Sequence, residues 1–289
     1  MNAYVFSARF DGILKRMSSN RFRPPRDASR RYHDRVARQY DAIYDDPYWE
    51  FHDELTWRAI KPHLPREAHA PCADLGCGTG KWGLKLLKSG FAVTFVDHAA
   101  AMVEQTRAKV QNMGPRAARA TLLVADIVDL ATIESNTMAL TVAMGDPLSI
   151  CSDPAAAARQ MFRITRPGGI VIASADNKLA ALDHFVERGN LDALEEFVQS
   201  SRTNWLTADE RERFELTMFT PASLRRLFET AGFGVIGVAG KPIVPVRGNK
   251  KLLESPDAVE RLLAIEAQLA HDPAAAARAG HLQITARKV

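Results

Sequence analysis

The stretch DLGCGTG, residues 74–80, decides how this sequence is interpreted. The short apolar segment 71–73 leads into it, and a helical pattern over residues 81–88 follows directly. Glycine allows a positive φ and leaves no Cβ between the main chain and a ligand. The stretch therefore predicts a strand, a glycine turn and a helix, with a ligand lying on the turn.

Apolar runs alternate with helical patterns on the carboxyl side of this turn. The runs that predict strands cover residues 91–96, 120–125, 138–144 and 170–173, and Asp153 is a suitable N-cap for the helix before the last of them. Nearly continuous apolar strands that alternate with helices are typical of a parallel sheet covered on both faces. The sequence therefore predicts an α/β fold.

The alternation of apolar strands with helical patterns stops after Asp176. Residues 179–200 predict two amphipathic helices broken at Gly189 and Asn190, and residues 207–214 continue the helical pattern. We interpret this segment as a helical cap over the ligand edge of the sheet. The alternation of helices and strands then resumes, with predicted helices over 220–231 and 257–271 and predicted strands over 233–239 and 281–287.

The chain before the glycine turn divides into two parts. Residues 1–31 contain eight Lys and Arg residues against two Asp residues, whereas the whole chain has a net charge of only +4. A basic leader of this kind is able to bind phosphates or an anionic surface, and we interpret it as partly ordered. Residues 32–64 follow with a helical pattern rich in aromatic side chains.

Composition excludes several classes of protein. The 289 residues are 46% hydrophobic and 25% charged, as in an ordinary globular protein. No run of about 18 apolar residues predicts a membrane span, and Arg9 and Asp11 interrupt any secretory signal. Three cysteines are too few for a disulfide framework or a zinc site, so we expect no metal and a reducing cytoplasm.

Three carboxylates mark the ends of the first three predicted strands: Asp74, Asp97 and Asp126. In an open parallel sheet the ligand lies at the carboxyl ends of the strands, near the switch in strand order. A carboxylate after the second strand can accept two hydrogen bonds from a ribose diol, and one after the third can accept from an exocyclic amine. The positions fit a nucleoside.

Together with the Arg166-Pro167-Gly168-Gly169 turn, these features resemble the class I S-adenosylmethionine-dependent methyltransferases. The resemblance is close over residues 70–175 and looser over 220–289. It implies one domain over residues 32–289, built on a three-layer, Rossmann-like, seven-stranded sheet whose last strand is antiparallel. An N-terminal helical lid and an inserted helical cap over residues 176–219 would complete it.

The resemblance also implies a role for individual residues. Asp74, Gly76 and Gly78 match positions that hold the methionyl part of S-adenosylmethionine, and Asp97 matches the position that binds the ribose hydroxyls. Met102 and Ile127 would contact the adenine faces, and Asp126 the adenine amine. Tyr40 and Tyr44 match lid tyrosines of a YDxxY segment. The full set of expected cofactor contacts adds Cys77, His98, Met144 and Gly145, and the product would be S-adenosylhomocysteine.

A nicotinamide dehydrogenase is the main alternative to this interpretation, since it also needs a glycine turn and an acidic end on the second strand. Gly78, Gly80 and Gly83 do match the spacing G-x-G-x-x-G that faces a pyrophosphate. That match begins four residues after Asp74, too late for the helix to face a pyrophosphate. We therefore favour methyl transfer.

The acceptor is less well defined. Cys151 follows the fourth strand but lacks the flanking proline of nucleophilic cysteines, and the Gly145-Asp146-Pro147-Leu148 turn lacks the aromatic residue on which a flipped base stacks. The predicted cap favours a small-molecule acceptor, with His184 or Asp146 as candidate bases. Two alternatives remain: an RNA or protein methyltransferase guided by the basic leader, and a cofactor-binding protein without catalysis.

Overall fold

The fold is built on a mixed β-sheet. The computed structural model describes residues 27–205, 209–270 and 272–289. Seven strands pair in the order β3-β2-β1-β4-β5-β9-β8, and a separate hairpin pairs β6 with β7. The strands are β1 (Pro71–Leu75), β2 (Ala92–Asp97), β3 (Ala120–Val124), β4 (Met138–Ala143), β5 (Thr165–Asp176), β6 (Arg202–Trp205), β7 (Phe214–Thr217), β8 (Phe233–Lys241) and β9 (His281–Lys288).

The strand directions confirm the predicted class I methyltransferase arrangement. Strands β1 to β5 run parallel, and β9 lies between β5 and β8 and is antiparallel to both. The chain order changes direction between β1 and β4, and the ligand of an open α/β sheet lies at such a switch point.

Helices cover both faces of the sheet and continue into the lid and the cap. They are α1 (Ala28–Val36), α2 (Tyr40–Ile43), α3 (Pro47–Ile60), α4 (Lys81–Lys88), α5 (Ala100–Gln111), α6 (Pro147–Ile150), α7 (Pro154–Ile164), α8 (Leu182–Glu187), α9 (Leu191–Ser200), α10 (Pro221–Thr230) and α11 (Pro256–Leu269). The predicted N-cap Asp153 accepts hydrogen bonds from the first turn of α7.

Two large apolar clusters among the described residues form the core around the sheet, one on each face. Alternate residues of a strand point to opposite faces, and in β5 Val171 and Ala173 belong to one cluster while Ile170 and Ile172 belong to the other. The first cluster includes side chains of α7 and α10, and the second includes side chains of α4. Burial on both faces explains why the strands are continuous apolar runs.

The cap differs from the prediction in its second half. Helices α8 and α9 are separated at Gly189 and Asn190 as expected, but residues 207–214 do not continue as a helix. Beyond the undescribed residues 206–208, the described part of that segment forms one 3-10 turn and then enters β7. The alternating burial of Phe214 and Leu216, with the Phe214 ring stacked on Trp205, favours a hairpin over a helix.

The boundary of the basic leader also changes. Helix α1 begins at Ala28, which is fully buried, so residues 28–31 belong to the folded body. The rest of the predicted leader, residues 1–26, lies outside the described residues. Among the described helices, none combines the length and the apolar character needed to cross a bilayer.

We expect Gly83→Ala to destabilise the fold. The Gly83 N–H donates to Asp74 Oδ2 at 2.7 Å, and a Cβ at this position would come within 2.2 Å of the Phe95 ring. Overpacking a buried contact costs about 1–3 kcal/mol of unfolding free energy. Urea unfolding measures this loss, and Gly248→Ala, where a Cβ would meet nothing within 4 Å, is the matched control. Wild-type stability for Gly83→Ala would show that this contact is not tight.

Candidate active site

A cavity of about 440 Å³ lies over the carboxyl ends of the central strands. The ends of β1, β2, β4 and β5 form its floor, together with the residues that follow β3 and the start of β9. Side chains of α1, α2 and α3 and of the β6–β7 hairpin form the walls, and residues 241–247 close one side. The volume is in the range of small-molecule sites.

The glycine turn has the conformation that its sequence predicts. Gly76, Gly78 and Gly80 have φ values of 66°, 54° and 88°, in the region that side chains disfavour. A Cβ on Gly76 would lie 2.6 Å from Pro147, whereas one on Gly78 would have only the Tyr40 ring nearby, at 3.8 Å. The main chain at Gly78 is therefore open to a ligand in the cavity.

Asp97 connects this turn to the end of β2. Its Oδ2 accepts a hydrogen bond from Gly78 N at 2.8 Å, and its Oδ1 accepts from Ala99 N at 2.9 Å. The side chain is nearly buried and borders the cavity. Because a carboxylate has about four acceptor sites, Asp97 keeps acceptor capacity for a ligand beyond these two bonds.

Tyr40 and Tyr44 form a lid whose rings lie 5.0 Å apart. Between them, Asp41 accepts hydrogen bonds from Thr79 Oγ1 and from Lys109 Nζ at 2.6 Å, which holds α2 against the glycine turn and α5. Burial raises the pKa of Tyr44 to about 12 and raises that of Tyr40 as well. Both phenols are therefore neutral at physiological pH and can donate hydrogen bonds.

The structure brings most of the predicted cofactor contacts to this cavity. Those that line it are Tyr40, Tyr44, Gly76, Cys77, Gly78, Asp97, His98, Asp126, Ile127, Met144 and Gly145.

Asp74 and Met102 are placed behind the wall of the cavity. Asp74 is fully buried, and its carboxylate accepts from Gly83 N, so it supports the first turn of α4. Burial raises its pKa to about 7. Met102 is fully buried and packs with Val36, the last residue of α1, and with Ala37, which follows it.

Two further sequence candidates also occupy structural positions. His184 lies on α8 with its ring 5.5 Å from Phe185, outside the cavity lining, so it is not placed to act as a base. Cys151 borders the cavity, but burial raises the pKa of its thiol to about 12. A thiol with that pKa is a poor nucleophile at neutral pH.

The other candidate base, Asp146, belongs to a polar cluster that we name the β4–β5–β9 cluster, formed by Asp146, Asp176 and His281. His281 Nδ1 lies 2.8 Å from Asp146 Oδ2 and 3.8 Å from Asp176 Oδ1. The negative charge of the two carboxylates raises the pKa of His281, despite its burial. Burial and the neighbouring Asp146 raise the pKa of Asp176 to about 7.

Lys241 and His52 complete the surroundings of this cluster. Lys241 Nζ donates to Thr56 Oγ1 at 2.7 Å and to Gln283 Oε1 at 2.8 Å, and burial lowers its pKa to about 8. The His52 ring lies 5.2 Å from the His281 ring, and burial lowers its pKa to about 3, so it is neutral.

Sequence patterns missed three of these groups: Asp176, His281 and Lys241. Asp176 ends a strand as Asp97 does, so the rule for strand ends was sufficient to find it. His281 and Lys241 are different, because they reach the cavity only when β9 inserts antiparallel between β5 and β8.

A family model described as a methyltransferase domain matches residues 72–169, which run from β1 into β5. No curated protein matches the sequence. Among solved structures, the chain is similar to the [4+2]-cyclase SpnF, with a TM-score of 0.60 and 17% identity over 92% of this chain and 96% of that one.

Two methyltransferase structures are also similar. One is a SAM-dependent methyltransferase from Methanosarcina mazei, with a TM-score of 0.57 and 18% identity over 80% of this chain and 97% of that one. The other is geranyl diphosphate methyltransferase in complex with geranyl diphosphate and sinefungin, with a TM-score of 0.55 and 14% identity over 82% of this chain and 78% of that one. Identities this low show the shared fold.

The domain match over residues 72–169, the strand order and the glycine turn are those of the class I S-adenosylmethionine-dependent methyltransferases, whose fold the chain shares. The residues present fit that cofactor. The open main chain at Gly78, the acceptor capacity of Asp97 and the carboxylate of Asp126 offer the polar groups that a nucleoside needs, with Ile127 as an apolar surface.

We expect Asp97→Ala to weaken S-adenosylhomocysteine binding by about 1.5–3 kcal/mol, the range for hydrogen bonds to a charged group. Isothermal titration calorimetry measures the change. Because Asp97 also holds Gly78, a melting curve should accompany each titration. The matched control is Asp129→Ala, an exposed carboxylate outside the cavity. An unchanged dissociation constant for folded Asp97→Ala would refute the assignment of Asp97 to the ribose.

Proposed function

We propose that the enzyme transfers the methyl group of S-adenosylmethionine to a small-molecule acceptor, and that both lie in the one cavity. The observation that supports this proposal is the cover of helices and hairpin over the cavity. Helices α1 to α3 and the β6–β7 hairpin stand over the sheet edge, where a nucleic-acid enzyme would need an open groove. The three unpaired cysteines suit a reducing compartment such as the cytoplasm.

The two halves of the sheet edge suggest two binding regions. The cofactor would lie over β1, β2 and β3, with the glycine turn and Asp97 holding it. The acceptor would then lie over β4, β5 and β9, where Trp49, Trp205 and Phe214 offer apolar surface. Geranyl diphosphate methyltransferase, which has a similar fold, is named for a small acceptor, and the cyclase SpnF shows how widely the fold is used.

Alignment of the acceptor with the methyl group, together with exclusion of water, would supply much of the rate enhancement. The cofactor, when bound, supplies an electrophilic methyl group and takes the electron pair of the broken carbon–sulfur bond. The lid tyrosines and the hairpin would exclude water, and the cavity walls would hold the acceptor in line with the methyl group. In this proposal the domain divides into a core over residues 70–175 and 220–289 and a cap over residues 176–219.

Deleting residues 1–26 should leave methyl transfer to small molecules unchanged, because among the described residues the cavity lining begins at Tyr32. We would measure formation of S-adenosylhomocysteine with full-length and shortened protein, using a panel of small phenols, thiols and amines as acceptors. Retention of transfer RNA on a filter, followed over a salt series, tests the leader separately. Loss of RNA retention together with loss of transfer would favour an RNA substrate guided by the leader.

A further inference from the structure

The β4–β5–β9 cluster lies in the half of the cavity where the proposed function places the acceptor. Asp146 follows β4, Asp176 ends β5 and His281 begins β9. Each of the three lines the cavity, whereas Gly78 and Asp97 belong to the other half. The cluster is therefore available to act on the acceptor.

The hydrogen bonds of His281 orient its ring. Nδ1 faces both carboxylates, at 2.8 Å from Asp146 Oδ2 and 3.8 Å from Asp176 Oδ1, and Nε2 has no hydrogen-bond partner among the described residues. About 17% of the side chain is accessible. A neutral ring that donates from Nδ1 carries its lone pair on Nε2. The ring is thus arranged to accept a proton from a ligand.

The charged and titratable groups around His281 favour its protonated form. Asp146 and Asp176 supply negative charge, while Lys241 opposes them and His52 is neutral. A base whose conjugate acid is stabilised in this way accepts a proton more readily. A carboxylate that orients the ring and stabilises the imidazolium is the arrangement of a histidine–aspartate dyad.

The same three side chains have ligand atoms within 4.8 Å of one another, close enough for a cation. Two observations favour the dyad. Nδ1 of His281 is already hydrogen-bonded to Asp146, so it is not free to bind a metal. The buried Lys241 ammonium lies near Asp146 and would repel a cation.

We propose that His281, oriented by Asp146 and Asp176, is the general base for the acceptor, and that the acceptor is a phenol. This inference rests on the proposed function, since it names the substrate class of the same cavity. Phenols ionise near pH 10, within reach of a histidine base, and Trp49, whose ring centre lies 6.1 Å from that of His281, offers a surface for an aromatic ring.

In the proposed step the phenolic proton passes to Nε2 of His281 as an oxygen lone pair forms the bond to the methyl carbon. The bond between that carbon and the sulfonium sulfur breaks, and its electron pair remains on sulfur. Asp146 and Asp176 stabilise the imidazolium that results, which later releases its proton to solvent.

The first test compares acceptors that differ in one atom: naphthol, naphthalenethiol and naphthylamine, within a wider panel of phenols, thiols and anilines. An aromatic thiol ionises without help, so only the phenols need the base. The variant His281→Asn keeps a donor near the position of Nδ1 and removes Nε2. We expect it to lower kcat for phenols by about 100-fold or more, with thiol transfer and S-adenosylhomocysteine affinity changed by less than a few-fold.

His69→Asn is the matched control. His69 is exposed and precedes β1, at the opposite edge of the sheet. Its φ of 59° is one that asparagine tolerates. We expect wild-type kinetics for this variant with every acceptor.

The second test measures the pKa of His281 in the absence of an acceptor. NMR of the imidazole carbons should show a pKa above that of an ordinary histidine, and Asp176→Asn should lower it because a negative charge is lost. The acid limb of kcat/KM for phenols, which reports the enzyme without acceptor and falls as His281 becomes protonated, should move to lower pH by the same amount. A structural role for Asp176 would not link these two shifts.

The outcomes separate this inference from the proposed function. Methylation of thiols or anilines but of no phenol overturns the substrate class. Equal losses for phenol and thiol in His281→Asn, or no loss for phenol, overturn the role of the base. Activity that requires a divalent cation and is abolished by a chelator would instead assign the cluster to a metal. If S-adenosylhomocysteine binds but no acceptor is methylated, the proposed function fails and this inference fails with it.

Discussion

The hydrogen bond from Gly78 N–H to the Asp97 carboxylate joins the ends of β1 and β2, on which the proposed cofactor half of the site depends. Asp97 also accepts from Ala99 N at the start of α5, and Thr106 Oγ1 of the same helix donates back to Gly78 O. The glycine turn is thus held from both sides. Its positive φ values leave the main chain open, and the short bonds keep it in one conformation.

A second network completes the opposite half of the site. Gly145 N and Asp146 N donate to Ser174 Oγ, and Asp176 N donates to Ser149 Oγ of α6, so β5 is bound to the turn and the short helix after β4. His281 then joins this edge because β9 is antiparallel and begins where β5 ends. The two networks meet at the switch between β1 and β4, which is where an acceptor and a cofactor would need to approach each other.

Much of this arrangement was predictable from local patterns. Strands that are apolar on both faces, and helices that begin at proline or aspartate, can be recognised from short stretches of sequence. These patterns placed Asp97 and Asp126 at the carboxyl edge of the sheet. The roles of Asp74 and His281 were not predictable in this way. The Asp74 carboxylate accepts a hydrogen bond from Gly83 N in the following helix. The position of His281 depends on the pairing of strands that are distant in the sequence.

The hairpin was missed for a related reason. Its two strands have only four residues each, too few for a period to be recognised, and they pair across a segment rich in charged side chains. Their stability comes from packing of Trp205 and Phe214 against Tyr32 of α1, a contact between residues far apart in the chain. Tertiary packing of this kind overrides local propensity.

A crystal structure with S-adenosylhomocysteine bound tests the central claim most directly. We expect the ribose hydroxyls to lie within hydrogen-bonding distance of Asp97 and the sulfur to face the half of the cavity that contains Asp146 and His281. A ribose away from Asp97, or a sulfur turned away from that cluster, would contradict it.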